Sequence, residues 1–164
     1  MKKLFALLLI LLPLTATFVS CSDDDDLPDV SLSLTISNAE ALGDTIYVVQ
    51  GDTLKVDAIN ITNNEQGKTA LITHATYNFL GFAYERPFAP FAWKYATSAD
   101  VDNVDYIPVG KYPLNIVVNI AAEGKSLAFA VMPYIVQIVA TPDDIPAEAT
   151  SGLANNLGQT LSSE

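Results

Sequence analysis

Val30, Leu32, Leu34 and Ile36 alternate with Ser31, Ser33 and Thr35, a clean period of two. Successive side chains of an extended strand point to opposite faces, so this run fits a half-buried β-strand, whereas a helix would scatter the same residues around its circumference. The pattern returns along the chain. Thr45-Ile46-Tyr47-Val48-Val49 is β-branched and aromatic, Gln50-Gly51-Asp52 turns the chain, and Leu54, Val56 and Ala58 alternate with Lys55 and Asp57. After the loop-forming stretch Asn63-Asn64-Glu65-Gln66-Gly67, residues Leu71, Thr73, Ala75, Tyr77 and Phe79 form the next expected core face. Leu114, Ile116, Val118 and Ile120 follow Val109-Gly110. Glu123-Gly124-Lys125 makes a hairpin turn, and residues 127–139 return as a long apolar strand in which Pro133 demands a break or bulge. Six or seven short strands spaced by turns, with no long helical period, predict an all-β protein: a two-sheet antiparallel sandwich.

The first twenty residues are of another kind. Lys2 and Lys3 precede the apolar run LFALLLILL at 4–12, then Pro13 and Thr15-Ala16-Thr17, the layout of a targeting segment. The run is shorter than the roughly 20 apolar residues of a membrane-spanning helix. Removing residues 1–20 also removes Lys2 and Lys3 and takes the formal charge from −11 to −13. Such a surface repels phosphate backbones and anionic headgroups, which argues against nucleic-acid binding. Any membrane anchor must then be a lipid rather than a polybasic patch. The expected layout is a signal peptide at 1–20, an acidic tether at 21–28, one folded domain at 29–140 and a mostly disordered tail at 141–164. That tail lacks Lys and Arg, and the helical spacing of Leu153, Leu157 and Leu161 is weakened by Gly152 and Gly158.

Cys21 is the only cysteine, so no internal disulfide can staple the fold. Phe18-Val19-Ser20-Cys21 resembles the lipobox of bacterial lipoproteins, with Phe18 where that family prefers Leu. The resemblance implies that Cys21 is diacylated on sulfur and becomes the new N-terminus, with the membrane as its partner. Ser22, Asp23, Asp24, Asp25 and Asp26 resemble the acidic export signal of surface lipoproteins of the Bacteroidota. That resemblance implies a lipid-anchored outer-membrane protein facing the cell exterior; on physical grounds alone, four adjacent like charges make a solvated tether. Asp44-Thr45-Ile46 and Asp52-Thr53-Leu54 resemble the Asp-Thr-aliphatic O-glycosylation sequence of the same phylum, which implies modification of Thr45 and Thr53. Tyr77-Asn78-Phe79-Leu80-Gly81 resembles the aromatic-x-Phe-x-Gly strand of immunoglobulin-like domains of the PKD kind, without its Gly-Asp-Gly ending. Gly110-Lys111-Tyr112-Pro113-Leu114 resembles the tyrosine-bearing start of a later strand in such domains. Leu114 stands where an antibody domain has its second cysteine, so the resemblance implies an immunoglobulin-like sandwich without disulfide.

His74 is the only histidine, expected on the strand face opposite Tyr77 and Phe79, so no metal site is expected. No Gly-x-Ser-x-Gly elbow or phosphate-cradling Gly loop is present; neither catalysis nor a cofactor is expected. Asp100-Val101-Asp102-Asn103-Val104-Asp105 has Asp105 and Lys111 where a helix-flanked calcium loop needs Gly and Glu, and reads as a solvated acidic loop. Eight of the fifteen aromatic residues fall between Tyr77 and Tyr95. Of these, Phe82, Tyr84, Phe88, Phe91, Trp93 and Tyr95 lie in a segment broken by Pro87 and Pro90, read as a loop at one end of the sandwich. Phe82, Tyr84, Phe91, Trp93 and Tyr95 are candidate ligand-binding residues, a stacking platform for sugar rings or an apolar patch for a protein partner. Alternatively, the rings cap the open end of a small domain. The sequence thus points to a non-catalytic surface module that binds a glycan or a protein of an outer-membrane complex, with a structural or adhesive spacer as the alternative. Exposure of Trp93 and Tyr84 favours the first, and burial the second.

Overall fold

Residues 27–98, 107–155 and 160–163 are described by a computed structural model. Strands β1 (Val30–Leu42) and β2 (Thr45–Val49) form a hairpin. There follow β3 (Thr53–Asn63), β4 (Ala70–Phe79), β5 (Phe82–Arg86), β6 (Trp93–Ala96), β7 (Gly110–Ala122) and β8 (Ala128–Val139). A 3-10 turn at Pro142–Asp144 leads to β9 (Thr150–Asn155) and β10 (Thr160–Ser163). The all-β expectation holds. Backbone hydrogen bonds join the strands in the order β5-β4-β7-β8-β2-β1-β3-β6, with β9 beside β1 and β10 beside β8. β2 runs parallel to β8, from Thr45 opposite Ile135 to Val49 opposite Val139, while the other pairings are antiparallel. The sheet is therefore mixed rather than wholly antiparallel, and it rolls into a nearly closed barrel.

The interior is one apolar cluster in which Leu34, Tyr77, Phe79, Leu114, Ile116, Met132 and Tyr134 are fully buried. On β7, and on β8 as far as Ile138, the alternation is regular: Leu114, Ile116, Val118 and Ile120 face inward, as do Ala130, Met132, Tyr134, Val136 and Ile138. Pro133 needs no break, because β8 passes through it without a register shift against β7. It stands between the stretch of β8 that pairs with β10 and the stretch that pairs with β2, where the missing N–H interrupts neither ladder.

Elsewhere the inward face changes once within a strand. In β1 it passes from Ile36 to Ala39 across Asn38, whose φ of 56° twists the chain. In β4 a register shift between Ile72 and His74 turns Ile72 inward and leaves Leu71 and Thr73 exposed. This corrects the expected core face at its first two positions, whereas Ala75, Tyr77 and Phe79 face inward as expected. A bulge inserts one residue into a period of two, so everything on one side of it swaps faces. His74, beside the bulge, is half-buried.

The tail at 141–164, expected to be mostly disordered, is a correction of a larger kind. Thr150–Asn155 pairs with β1 from Ser33 opposite Asn155 to Ala41 opposite Thr150, and Thr160–Ser163 pairs with residues 128–131 of β8. Both strands cover edges that β2 and β3 leave open, where unpaired N–H and C=O groups would otherwise need water. Ala154 is fully buried and its carbonyl accepts the Tyr134 hydroxyl at 3.3 Å. Ala149 and Val139 pack with Tyr47 in a second small cluster.

Leu80 and Gly81 join β4 to β5 with φ of 52° and 80°. That is the two-residue hairpin whose positive φ values matches strand twist and favours glycine. Glu65, in the loop after β3, accepts from Lys68 and from Lys125 of the β7–β8 turn, the latter at 3.1 Å. These two ammonium groups hold its carboxyl below the ordinary range.

Candidate functional site

The aromatic segment is mostly strand rather than loop. Phe82 and Tyr84 lie on β5 and Trp93 and Tyr95 on β6, leaving Phe88 and Phe91 in the connection. β5 and β6 are the two ends of the sheet path, and their rings meet across the remaining gap. Tyr84 lies 5.7 Å from Trp93 and 6.2 Å from Tyr95 between ring centroids. Trp93 is the hub: it stacks on Tyr77 at 4.9 Å and 16°, and meets Phe79 edge-on at 5.7 Å. Offset-stacked and edge-to-face pairs of this kind add to the area that the rings bury.

The connection between the two strands is tied down from both sides. Phe91 has a φ of 63°, a conformation rare for a bulky residue. Its N–H donates to the Phe88 carbonyl at 2.9 Å, and its own carbonyl accepts the buried Tyr77 hydroxyl at 2.8 Å. The Ile59 N–H donates to the Pro90 carbonyl at 3.1 Å. Trp93 is 3 % and Phe91 5 % exposed, whereas Phe82 is 64 % and Phe88 81 % exposed; Tyr84 and Tyr95 are half-buried. The five candidate ligand-binding residues therefore do not form one platform. Phe91 and Trp93 point into the core and close the barrel, and Phe82 alone of the five is widely exposed. Among the buried side chains of the described residues, the indole N–H of Trp93 has no partner, at a cost of about 1–3 kcal/mol.

Burial pushes the Tyr77 and Tyr134 hydroxyls well above the ordinary tyrosine value near 10. Above about pH 10 the unfolded chain loses these protons while the folded protein keeps them. Stability is therefore expected to be intact below pH 10 and to fall as pH rises towards the folded values. Tyrosinate absorbance followed with far-ultraviolet circular dichroism checks this: Tyr77 and Tyr134 should ionise together with loss of β-structure. Ionisation of Tyr77 and Tyr134 near pH 10 with the fold intact would contradict it.

Beside Trp93 the wall opens. β3 and β6 pair from Thr53–Ala96 to Val56–Trp93. At the next residue, Asp57, β3 bulges against β1. The gap is a cavity of about 330 Å³ with Val56, Ala92 and Trp93 as its apolar lining and Lys55, Arg86, Lys94 and Asp57 as its charged lining. Lys55 and Lys94 stand directly opposite each other in the ladder. Arg86 is held in place by Nε donating to the Ala92 carbonyl at 2.9 Å and Nη1 donating to the Glu85 carbonyl at 2.6 Å. Among the described residues the salt bridges belong to Lys68 and Lys125, and no carboxylate lies within 4 Å of these three cations. Sequence reasoning missed this group because its members come from three strands and meet only through the sheet order. The available signal was scarcity: three of the chain's eight Lys and Arg residues converge here.

Thr97, also missed, is a buried polar residue whose hydroxyl donates to the Asp52 carbonyl at 2.7 Å and accepts the Gly51 N–H at 2.8 Å. It fixes the turn before Thr53. Thr45 and Thr53 each open a strand with a half-buried side chain. Cys21, Ser22, Asp23, Asp24, Asp25 and Asp26 lie outside the described residues, as does the acidic stretch at 100–105. Among the described residues no group of three His, Cys, Asp or Glu could hold a metal ion, and no helix is long and apolar enough to cross a membrane. No protein-family model matches the chain, and no curated protein or solved structure is significantly similar to it.

Proposed function

We propose that this chain is a non-catalytic, lipid-anchored protein of the outer cell surface whose immunoglobulin-like domain serves as a structural or adhesive module. The observation that carries the module reading is the burial of Trp93 among Tyr77, Phe79, Tyr84 and Tyr95. The aromatic wealth of the sequence goes into closing the fold rather than into a stacking surface. The strand neighbours support the immunoglobulin-like assignment. β1-β3-β6 and β4-β7-β8 match the first–second–fifth and third–sixth–seventh groupings of that sandwich, with β2 as a continuation of the first strand and β5 as an added edge. Tyr112, at the start of β7, adds a second support. Its hydroxyl donates to the Pro108 carbonyl at 2.7 Å, four residues upstream, and Leu114 two residues on is fully buried. That is the hydrogen bond of a tyrosine corner.

Export rests on Cys21 and the aspartates behind it. Cys21→Ala is expected to abolish labelling by a fatty-acid probe and to release the protein or leave it as precursor, because several acyl chains hold where one does not. Replacing Asp23, Asp24, Asp25 and Asp26 with Ala is expected to keep the label but remove the protein from protease attack on intact cells. Labelling that survives in the alanine variant, or unchanged accessibility of the tetrad variant, contradicts the respective half of the proposal. Glycosylation at Thr45 and Thr53 belongs to the same surface reading, and intact mass of the native protein tests it. A ligand-binding module is the second reading, and the cationic cavity beside Trp93 is what favours it.

A further inference from the structure

We infer that the cavity between β3, β6 and the end of β5 is a binding site for an organic oxyanion: a carboxylate or sulfate group carried on a body with an apolar face. Three observations converge on it. The first is charge. In a chain of formal charge −11, Lys55, Arg86 and Lys94 line one cavity with a single acid, Asp57. The second is the juxtaposition of Lys55 and Lys94 as a directly opposed pair. Like charges opposite each other in a ladder repel, and an anion between them reverses the sign of that interaction. A lysine on an edge strand also blocks pairing with other chains. That role explains Lys94 on β6, but neither the lysine facing it nor an arginine converging on the same space.

The third observation is preorganisation. Arg86 uses two of its five N–H donors on the Ala92 and Glu85 carbonyls, which fixes the guanidinium and leaves three donors for a ligand. The lining sets the rest of the ligand. Of the apolar lining only Ala92 is exposed, Val56 and Trp93 being buried beneath, so the anionic group meets the cations while an aliphatic, aromatic or sugar face lies against Ala92 and the hydrocarbon stems of the lysines. A volume of about 330 Å³ suits a ligand the size of one sugar acid or a small aryl acid.

Trp93 is the only tryptophan, so its fluorescence reports on this cavity directly. The full chain is titrated at low salt with phenylacetate, glucuronate and inorganic sulfate, with glucose as the uncharged control. A saturable change with phenylacetate or glucuronate, weakened by added salt and absent with glucose, is the expected result. The two acids distinguish an apolar from a sugar body. Lys55→Gln and Lys94→Gln are each expected to weaken binding about tenfold or more, the size of a lost charge-assisted hydrogen bond. Lys111→Gln, outside this cavity, should leave it unchanged. Neither Lys55 nor Lys94 is buried, and unliganded melts of the variants verify that they fold. No saturable response to any of the three anions overturns the site, as does equal affinity in the parent and both lysine variants. Saturation by sulfate alone overturns the organic body. None of these readouts depends on lipidation or surface display, so failure here leaves that reading untouched.

Discussion

Trp93→Ala is expected to remove about 3–5 kcal/mol of stability, the cost of deleting a large aromatic side chain from a packed core. Domains of this size have only about 5–15 kcal/mol in total, so the variant should melt far earlier than its parent. The expectation follows from position: the ring is 3 % exposed and touches Tyr77, Phe79, Tyr84 and Tyr95, which come from three strands. Its removal leaves the ends of the sheet, β5 and β6, facing a void. Trp93→Phe separates volume from chemistry. It keeps a ring against Tyr77 and deletes the indole N–H that has no partner, so its cost should be well below that of alanine. Urea denaturation of the three proteins gives the comparison directly. An alanine variant with the parental midpoint would show that the ring does not hold the barrel shut.

Deleting residues 141–164 is expected to cost several kcal/mol, on the order of 3 or more. The deletion leaves the buried Tyr134 hydroxyl without the Ala154 carbonyl, about 1–3 kcal/mol by itself. It also uncovers Tyr47 and Val139, whose cover includes Ala149, and each apolar Å² returned to water costs roughly 25 cal/mol. The second effect is on solubility. β1 loses its neighbour along Ser33–Ile36 and exposes a bare strand edge, a template for pairing with other chains. Urea melts and sedimentation of the truncated protein, beside the full chain, measure both effects. An unchanged midpoint and a monomeric truncated protein would return the segment to the status of an idle tail.

What could be read from the sequence was the strands with uninterrupted alternation. β7 could be placed residue by residue, because nothing in it disturbs the period of two, whereas β8 was legible only as an apolar strand, with a break expected at Pro133 that its register against β7 does not show. β4 could be located but not fully oriented. Leu71 and Ile72 are equally apolar, and only the bulge decides which of them faces inward. β5, β6, β9 and β10 escaped because they are short and lie next to Pro87, Pro90, Gly152 or Gly158, and because their pairing is decided by edges formed far away in the sequence. Leu153 and Leu161 do share a helical spacing, yet the open edges of β1 and β8 override a weak local preference. The aromatic cluster was legible as a cluster, with Tyr77 and Phe79 as core and the other rings either a platform or a cap; which of those rings are buried depends on β5 and β6 meeting. The opposition of Lys55 and Lys94 was illegible for the same reason: it exists only once the register of β3 against β6 is fixed.

The partnership of β1 with β9 also sets the order in which the molecule can assemble. Ser33 waits for Asn155, so the strand that leads the domain acquires its second neighbour from nearly the last described segment. Contacts this distant along the chain demand closure of very large loops before they return any free energy, and such topologies fold in milliseconds to seconds rather than microseconds. During that interval β1 and β8 present unpaired edges to every neighbouring chain. A formal charge of −11, with five aspartates ahead of β1, supplies mutual repulsion between nascent molecules throughout that interval. The acidity of the sequence thus acts before the fold exists, as an electrostatic guard over a slow assembly.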